Sequence, residues 1–493
     1  MNAAVAAVVV VRIIGFSDYH SHAVPFRSEG RTDQGGLARV VGYIKKARAA
    51  GATLVFSGGD MLNKGVPVWS DEARCVEWPW LNGLVDAMAL GNHDLDYGAD
   101  VFAACRASVQ FPILSANLLT EAGAPFLTAA GKPYAVLEVD GVRIGVFAVA
   151  GPDVQRLIGT QNLPPGTRWA EAVSTARAVV AALREEEKVQ AVIAIGHQLT
   201  GDDEAMARAV PGIDLILGSH SHLKQELTAI PGTGTRMISP FQYLSYLSDL
   251  RLTFAGGRLT GIEGGLVRVD AALPSDPEVA RRVAEQQKMV EARRPERFAV
   301  IGRTTVELSP LGIETGESLI GNWVTETLRA RAGAHVFFTT GSSLRTGLPA
   351  GAVTLEDFYA ALPYPNRVVT VELGGAQLLE WLRLSVSRRG SDLMSQLSGA
   401  RYAVKDGAPV DVQVLRDPAA PARGYAPLDP AARYRIATTD YQAGLVEGYK
   451  QIYAAGADPR RTDLDVHAVL LEALKQGPVG AALDGRTGGP PAR

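Results

Sequence analysis

Apolar positions along the first 270 residues form short continuous runs that alternate with longer helical patterns. The runs VVVVRIIGF (8–16), TLVFS (53–57) and AVIAI (191–195) have the length of buried strands, and the stretch LARVVGYIKKARAA (37–50) has helical spacing. Strands that are apolar throughout are typical of sheets covered on both faces. The pattern therefore predicts an α/β fold in which helices cover a buried sheet.

Two further segments predict β-hairpins. The segment VLEVDGVRIGVFAVA (136–150) has Asp140–Gly141 at its centre, and LRLTFAGGRLTGIEG (250–264) has Gly256–Gly257. Both dipeptides favour the tight turns that join antiparallel strands. Because hairpin strands are antiparallel, the sheet is expected to be mixed rather than purely parallel.

Chain length and a change in composition predict two domains. A chain of 493 residues is too long for a single core. The segment DPEVARRVAEQQKMVEARRPERF (276–298) is charged, has helical character and predicts a linker helix. We expect a first domain at 1–270, a linker helix at 271–297, a second α/β domain at 298–475 and a flexible Gly/Pro-rich tail at 476–493.

Composition and charge exclude several classes of protein. The net charge of −3 gives no electrostatic basis for binding a nucleic-acid polymer. The only cysteines are Cys75 and Cys105, which predict neither a disulfide framework nor a thiolate metal site. The apolar N-terminus is too short to span a membrane and lacks the basic region and cleavage site of a signal peptide, so we expect it to enter the first strand.

Polar side chains with metal-binding chemistry follow the predicted strands. Six of the eight histidines lie before residue 223 in such positions, together with Asp18 and Asp60. Groups at the carboxyl ends of strands meet at one edge of an α/β sheet, even when they are far apart in the sequence. Asp, Asn and His without Cys suit divalent ions such as Mn²⁺, Zn²⁺, Co²⁺ or Fe²⁺. The pattern predicts a divalent metal site.

Five of these segments resemble, in content and order, the motifs of the calcineurin-like metallophosphoesterases. They are DYH (18–20), GD (59–60), GNHD (91–94), GH (196–197) and GSHSH (218–222). The resemblance implies an N-terminal sandwich of mixed sheets flanked by helices, with two divalent ions, Mn²⁺ or Zn²⁺, as cofactors. It implies one ion held by Asp18, His20 and His222, a second held by Asn92, His197 and His220, and Asp60 shared between the two.

The same resemblance implies a reaction. Two ions about 4 Å apart can bind the attacking and leaving oxygens of a phosphoryl displacement, with a metal-bound hydroxide as the nucleophile. His93 would stabilise the transition state or protonate the leaving oxygen, and Asp96 would orient His93, as the 5′-nucleotidase subfamily implies for that spacing. We expect Asp94 to support the site and His22 to lie outside the ligand set.

The second half resembles the substrate-binding C-terminal α/β domain of 5′-nucleotidases. The matching stretches, in the family's order, are SLIGNWVTETLRARAGAHVFFTTGSSLRTGL (318–348), LPYPNRVVTVELGGAQLLEWL (362–382) and YRIATTDYQAGLVEGY (434–449). The family sandwiches a base between two aromatic rings, binds phosphate with Arg and binds ribose with an acid. Register assigns these roles to Tyr364 and Tyr441, to Arg345 and to Glu447, respectively.

One loop departs from the family pattern. The family sequence is close to N-G-G-G-I-R, whereas this chain has TGSSLR (340–345), and Gly316 stands near the position of a further family arginine. Close approach of a backbone to a ligand usually requires glycine. The substrate pocket is therefore expected to be reshaped around Ser342 and Ser343.

These features together predict a dinuclear-metal-dependent hydrolase of nucleotide phosphate esters that acts in nucleotide catabolism. The alternatives are a thiosulfohydrolase of the sulfur-oxidation pathway and a non-catalytic nucleotide-binding protein. We expect a small nucleotide as the partner, no nucleic-acid polymer, no membrane span and a monomeric chain. The family implies a periplasmic or extracellular location. No signal peptide is visible in the sequence, which therefore does not exclude a cytoplasmic location. The sequence leaves open the metal, the base and the choice among mono-, di-, cyclic and sugar nucleotides.

Overall fold

The computed structural model describes residues 8–28 and 31–488 and divides the chain into two compact units. Unit 1 consists of Met1–Phe26 and Asp33–Arg293, and unit 2 consists of Arg27–Thr32 and Arg294–Arg493. The start of the apolar N-terminus, residues 1–7, and the end of the predicted tail, residues 489–493, lie outside the described residues.

The elements of the first 293 residues alternate in the way that the apolar pattern predicts. The strands are β1 (Val8–Phe16), β2 (Phe26–Ser28), β3 (Arg31–Gln34), β4 (Thr53–Ser57), β5 (Ala87–Ala89), β6 (Ile113–Thr120), β7 (Pro125–Leu127), β8 (Tyr134–Val139), β9 (Val142–Phe147), β10 (Thr167–Trp169), β11 (Ala191–Ala194), β12 (Leu215–Leu217), β13 (Lys224–Ala229), β14 (Arg236–Pro240), β15 (Tyr246–Ala255) and β16 (Arg258–Arg268). The helices are α1 (Leu37–Ala50), α2 (Val68–Ala73), α3 (Ala99–Ala107), α4 (Pro152–Ile158), α5 (Ala172–Ala181), α6 (Thr200–Ala209) and α7 (Pro277–Arg293), with short 3₁₀ and π turns between them.

Two mixed sheets form unit 1. The first has the order β10-β6-β5-β4-β1-β15-β16, with β7 paired to β6, and its central strands from β1 to β6 are parallel. The second has the order β13-β14-β12-β11-β9-β8, in which β9, β11, β12 and β14 are parallel. The hairpins turn at Asp140–Gly141 and Gly256–Gly257, as the sequence predicts. The predicted α/β class with mixed sheets is confirmed.

The main core of unit 1 lies between these two sheets. Val11 and Phe56 of the first sheet belong to the same buried cluster as Ile193 and Leu215 of the second. Successive side chains of a strand point to opposite faces. Val192 accordingly belongs to a separate cluster that includes residues of α5 and α6. Strands such as β11 are therefore buried on both faces, which explains their continuous apolar runs.

The helix predicted as a linker is α7, and it packs against α1 and α2 of unit 1. The Arg293 side chain at its end donates a hydrogen bond to the carbonyl oxygen of Glu72. Arg282 lies over the Trp80 ring at 5.8 Å from its centroid. These contacts place α7 within unit 1.

The two cysteines form a disulfide, which the sequence analysis did not predict. Cys75 follows α2, Cys105 lies in α3, and their Cα atoms are 5.7 Å apart. Cysteine number alone did not reveal this pairing, because the two residues are 30 positions apart and meet only when α3 packs in the fold.

Unit 2 is built around a five-stranded sheet with the order β21-β18-β25-β20-β26. The strands of this part are β17 (Val300–Thr304), β18 (Val336–Thr340), β19 (Gly351–Thr354), β20 (Arg367–Gly374), β21 (Ser395–Ser398), β22 (Ala400–Lys405), β23 (Ala408–Leu415), β24 (Tyr425–Pro427), β25 (Arg433–Thr439) and β26 (Ala457–Asp465). The helices are α8 (Leu319–Ala332), α9 (Leu355–Ala361), α10 (Gly375–Ser387), α11 (Asp440–Gly444), α12 (Tyr449–Ala454) and α13 (Val466–Gln476). One buried cluster joins the sheet to α8 and α13, and a second joins it to α10.

Much of the segment predicted as a flexible tail is attached to unit 2. The Glu317 carboxylate accepts hydrogen bonds from the backbone N–H groups of Asp484 and Gly485. The Asn322 amide donates to the carbonyl oxygen of Ala482. Backbone hydrogen bonds satisfied in this way hold the segment to the surface despite its Gly/Pro content. Among the described helices of both units, none combines the length and apolar character needed to cross a membrane.

Candidate functional site

The seven side chains predicted to bind metal all follow strands of unit 1. Asp18 and His20 follow β1, Asp60 follows β4 and Asn92 follows β5, all in the first sheet. In the second sheet, His197 follows β11, and His220 and His222 follow β12. The carboxyl ends of strands from both sheets therefore supply the site, which is where α/β folds usually place ligands.

Four of these residues form a first group: Asp18, His20, Asp60 and His222, whose ligand atoms all lie within 4.8 Å of one another. The Nε2 atoms of His20 and His222 are 3.1 Å apart, and His222 Nε2 is 3.2 Å from Asp18 Oδ1. Bonds of about 2.0–2.2 Å to one ion bring ligand atoms to roughly such separations. All four residues are buried, so the group is shielded from competing water.

Asp60, His197 and His220 form a second group within the same 4.8 Å limit. His197 Nε2 is 3.1 Å from Asp60 Oδ2, and His20 Nε2 of the first group is 3.8 Å from the same oxygen. One carboxylate therefore belongs to both groups. One carboxylate can serve two ions that lie side by side, so the overlapping groups fit a site for two ions.

Several ligand atoms in the described part of the site have no hydrogen-bond partner within the protein. One is Asn92 Oδ1. The other two are Asp60 Oδ2 and His197 Nε2, which lie 3.1 Å apart without the geometry of a hydrogen bond; all three atoms are buried. Buried polar atoms are otherwise almost always satisfied, because desolvation without a partner is costly. Divalent cations would satisfy all three atoms, and an oxygen and nitrogen donor set without sulfur suits Mn²⁺ or Zn²⁺. The residues present therefore fit a metal centre.

Backbone carbonyl oxygens fix the orientation of two of the histidines. His20 Nδ1 is 3.2 Å from the carbonyl oxygen of Leu62, and His197 Nδ1 is 2.7 Å from that of Gly58. A carbonyl oxygen only accepts hydrogen bonds, so each Nδ1 carries the proton. Nε2 is then the nitrogen that faces the two groups, and it is the atom that would lose its proton and bind a cation.

The backbone is strained at most of these residues. Asp18, His20, Asp60, His220 and His222 all have positive φ angles, between 48° and 63°. This conformation costs an L-residue about 1 kcal/mol or more and tends to occur at functional sites. A glycine provides the necessary space beside Asp60, because a Cβ atom on Gly91 would lie 2.1 Å from Asp60 Oδ1.

Burial and close charges shift the pKa values of the candidate ligands in the metal-free protein. Burial raises the pKa of Asp18 and lowers that of His20 well below its usual value. Burial also lowers the pKa of His197, but the Asp60 and Asp18 carboxylates outweigh it and raise that pKa to about 9. The buried carboxylates thus attract positive charge to this site.

His93 and Asp96 form a pair beside the first group. His93 Nδ1 is 2.7 Å from Asp96 Oδ2, and the same carboxylate oxygen accepts a hydrogen bond from the backbone N–H of Lys64. The rings of His93 and His20 are 5.0 Å apart. The backbone N–H of His93 also donates to Asp60 Oδ1 at 2.8 Å. The 3₁₀ turn His93–Leu95 produces this geometry, because it places residues three apart on one side.

Asp94 binds the backbone that carries two of the candidate ligands, Asp60 and Asn92. Its carboxylate accepts hydrogen bonds from the N–H groups of Asp60 (3.2 Å), Met61 (2.7 Å) and Gly91 (2.8 Å). It is fully buried. Asp94 therefore joins the turn after β4 to the turn after β5.

We expect Asp94→Ala to destabilise the protein by about 3 kcal/mol or more, because three buried N–H groups would lose their acceptor at about 1–3 kcal/mol each. Asp94→Asn keeps one acceptor oxygen and should lie between the alanine variant and the wild type. Urea unfolding of the metal-free proteins measures both effects. Equal stability of the wild type and Asp94→Ala would contradict this supporting role.

His22 lies outside both groups. Its Nδ1 atom is 2.8 Å from the carbonyl oxygen of His20, and its ring stacks on Tyr243 with centroids 3.8 Å apart. The Tyr243 ring also contacts His20 edge-on at 5.6 Å. His22 thus packs against Tyr243 beside the turn that carries His20.

In unit 2, three of the four predicted substrate-binding residues lie together. Arg345 donates a hydrogen bond of 2.6 Å from Nη2 to the Tyr364 hydroxyl. Burial, with smaller contributions from Asp392 and Tyr364, raises the pKa of Tyr441 to about 12, so its hydroxyl stays protonated at neutral pH. In contrast, the Glu447 side chain is exposed and binds Lys450 and Gln451.

The altered loop of unit 2 carries its own hydroxyl network. The Oγ1 atom of Thr340 lies 2.8 Å from Ser342 Oγ and 3.3 Å from Ser343 Oγ. The loop forms a 3₁₀ turn at Gly341–Ser343, which is separated from Arg345 by Leu344 alone. The substituted residues therefore hydrogen-bond one another next to the predicted pocket.

Sequence reasoning did not single out Asp153, whose Oδ2 atom is 3.0 Å from His220 Nε2. The signal was present, because Asp153 follows the apolar run of β9 through Gly151 and Pro152, as the other site residues follow their strands. A Gly-Pro-Asp sequence is also typical of an ordinary helix start, so the sequence alone does not indicate that Asp153 lies beside the site.

Two family models match most of the chain between them. The calcineurin-like phosphoesterase model matches residues 11–224, and the 5′-nucleotidase C-terminal domain model matches residues 300–454. The first contains all seven predicted metal-binding residues. The second contains all four predicted substrate-binding residues.

Individual proteins resemble the chain over nearly its whole length. Protein UshA of Salmonella pullorum is 25% identical over 494 residues, covering 90% of this chain and 86% of that protein. A 5′-nucleotidase precursor from Thermus thermophilus has a TM-score of 0.75 and 25% identity, covering 97% of this chain and 99% of that chain. The sulfate thiohydrolase SoxB of Thermus thermophilus has a TM-score of 0.71 at 21% identity over 97% of this chain and 96% of that chain, which shows a shared fold. Both halves and their order agree, so the chain belongs to the 5′-nucleotidase family of calcineurin-like phosphoesterases and is a phosphoric ester hydrolase.

Proposed function

We propose that this enzyme hydrolyses phosphate esters of nucleotides with two divalent ions, Mn²⁺ or Zn²⁺. The observation that carries the proposal is the pair of overlapping ligand groups that share Asp60, with the His93–Asp96 pair beside them. When bound, two ions would activate water and neutralise charge on the phosphoryl group. Asp18, His20 and His222 would hold one ion, and Asn92, His197 and His220 would hold the other.

The His93–Asp96 pair would supply an oriented proton donor, which the proposed metal ligands do not provide. Asp96 accepts the Nδ1 proton of His93 and so fixes the imidazole in one orientation. His93 Nε2 would then stabilise negative charge on the phosphoryl group or protonate the leaving oxygen. A nucleoside leaving group needs such a proton, because an alkoxide is a poor leaving group at neutral pH.

The nucleotide assignment rests on unit 2. Tyr364 and Tyr441 would stack on the base, Arg345 would bind phosphate and Glu447 would bind the ribose hydroxyls. The hydrogen bond from Arg345 to Tyr364 supports a common pocket for these two residues. The hydroxyl groups of Thr340, Ser342 and Ser343 would stand where the family loop has a glycine-rich backbone. This replacement would change which nucleotide the pocket prefers.

Two alternatives are weaker. A thiosulfohydrolase would use the same metal site, and the fold shared with the sulfate thiohydrolase SoxB is compatible with it. Paired tyrosines beside an arginine favour a nucleoside over a sulfonate. A non-catalytic nucleotide-binding protein would have no need of the strained, buried ligand groups or of the His93–Asp96 pair.

We also propose that the enzyme works outside the cytoplasm, in the periplasm or beyond. The Cys75–Cys105 disulfide supports this, because disulfides persist in oxidising compartments and are rare in the reducing cytosol.

The proposed function is tested by measuring the release of phosphate from nucleotides. The protein would be stripped of metal, reconstituted separately with Mn²⁺ or Zn²⁺, and offered AMP, ADP, 2′,3′-cyclic AMP and UDP-glucose, with a coupled phosphatase for the last two. We expect metal-dependent turnover of at least one nucleotide. If no nucleotide is hydrolysed while both ions are bound, the nucleotide assignment is wrong, and thiosulfonate esters on a cysteine peptide become the next substrates.

A further inference from the structure

A carboxylate outside the predicted ligand set contacts one of the ligands. Asp153 lies in the first turn of α4, the helix that follows β9, and its Oδ2 atom is 3.0 Å from His220 Nε2. Its other oxygen, Oδ1, accepts a hydrogen bond from Arg156 in the same helix. Asp153 is therefore held in place on one side and contacts His220 on the other.

This contact determines which nitrogen of His220 can face the second group. A carboxylate accepts the proton on Nε2, so Nδ1 is left unprotonated and available as a ligand. The His220 side chain is almost fully buried and has little freedom to turn away. The backbone N–H of His220 is also near Asp18, 3.2 Å from both carboxylate oxygens. Ring and backbone are thus both fixed by carboxylates.

The partner of His220 differs in kind from the partners of two other histidines at the site. His20 and His197 direct Nδ1 to backbone carbonyl oxygens, which are neutral. A carboxylate partner increases the electron density of the imidazole and makes its other nitrogen a stronger donor to a cation. The group formed by Asp60, His197 and His220 therefore has an additional negative charge behind one ligand.

We propose that Asp153 is a positioning residue that holds His220 in the ligand orientation and strengthens binding of the ion shared by Asp60, His197 and His220. The inference rests on the proposed dinuclear function and adds a residue to it. Loss of such a carboxylate partner typically weakens metal affinity by about 10–100-fold. The first group does not contain His220, so its ion should be bound as tightly as before.

The test is a zinc titration of the metal-free protein against a chromophoric chelator, which gives the number of ions and the affinity of each. For the wild type we expect two ions. For Asp153→Ala we expect one ion of unchanged affinity and one bound about 10–100-fold more weakly, with a smaller loss for Asp153→Asn, which keeps an acceptor but not the charge. With Mn²⁺, electron paramagnetic resonance should change from a coupled two-ion signal to a single-ion signal at limiting metal.

Asp202 offers a matched control. It lies in the first turn of α6, near enough to Asp153 and His220 for their charges to affect its pKa, and burial raises that pKa. Asp202→Ala removes a carboxylate from this neighbourhood and leaves the bond between Asp153 and His220 in place. We expect it to leave both zinc affinities within about threefold of wild type.

The outcomes separate this inference from the function itself. Two ions with unchanged affinities in Asp153→Ala would overturn the positioning role and leave the dinuclear function standing. An equal weakening of both ions in Asp153→Ala and Asp202→Ala would also overturn it, because a general charge effect would then explain the result. A wild-type protein that binds no ion would overturn both proposals. Far-ultraviolet circular dichroism and urea unfolding of the metal-free variants would identify a folding defect, and Asp153→Asn, which preserves shape, would then decide.

Discussion

Replacement of His93 by alanine should lower kcat for a nucleotide substrate by about 10²–10⁴-fold, the range typical for loss of a general acid or base. The imidazole is fixed by Asp96 at 2.7 Å and belongs to neither ligand group. The variant should therefore bind two ions as the wild type does. Phosphate release and metal content, measured on the same preparation, check both parts of this expectation.

Two further variants sharpen the His93 experiment. Asp96→Asn keeps the size of the side chain but loses the charge that orients His93, so a smaller loss of kcat is expected. His335→Ala is the control, because His335 accepts a hydrogen bond from the backbone of Arg435 in unit 2 and lies outside the ligand groups. Retention of kcat within about tenfold in His93→Ala would contradict the catalytic role. Loss of an ion in that variant would instead assign His93 to metal binding.

Replacement of Glu77 by glutamine should remove a pH dependence of stability. Glu77 is fully buried, and neither carboxyl oxygen has a hydrogen-bond partner of ordinary geometry within the described residues. Burial raises the pKa of Glu77 from 4.5 to about 7, against smaller opposing effects that include contacts from Tyr19 and Trp69. The folded protein therefore keeps this proton at pH values where the unfolded chain has lost it.

The sign of the effect follows from these two pKa values. Between pH 4.5 and about 7 the folded state binds more protons at Glu77, so its contribution to the free energy of unfolding falls as pH rises. The total loss is about 3 kcal/mol at roughly 1.36 kcal/mol per pKa unit, and it is complete above about pH 7. Glu77→Gln has no such proton to lose and should be more stable than the wild type above that pH by up to that amount.

Urea unfolding of wild type and Glu77→Gln at intervals from about pH 4 to 8 measures this difference. Subtracting one stability profile from the other cancels the titration of the metal-site residues, which both proteins share. Glu204→Gln is the control, since Glu204 is a half-exposed residue paired with Arg208 within α6. Stability profiles of wild type and Glu77→Gln that run parallel across this range would contradict the raised pKa.

The sequence was sufficient for the architecture of unit 1 because its signals are local. The run at 8–16 is β1 in full, and the dipeptides Asp140–Gly141 and Gly256–Gly257 turn the two hairpins. The motif residues follow strands, and parallel neighbours such as β1 and β4 bring Asp18 and Asp60 to the same edge. Local patterns combined with one rule of α/β topology thus bring the candidate ligands together.

The features that sequence reasoning missed depend on distant contacts. Asp153 meets His220 across 67 positions, and Cys75 meets Cys105 across 30. Glu77 lies in the sequence EWPW, where nothing indicates that the carboxylate is buried. The docked segment that includes Asp484 has the composition of a free tail and is held by hydrogen bonds to Glu317. In each case the partner is determined by packing, which periodicity and composition do not encode.

The division of the candidate ligands between two sheets has a consequence for the lifetime of the enzyme. Each group combines Asp60, which follows a strand of the first sheet, with at least one histidine that follows a strand of the second sheet. An ion bound there would join the two layers. A ligand specific to the folded state adds about 4 kcal/mol to the free energy of unfolding when it is present at a thousandfold excess over its Kd. The supply of metal in the surroundings would thus set both the activity of the chain and how long it persists before unfolding and proteolysis. When metal is scarce, the enzyme would then lose its activity and also be degraded faster.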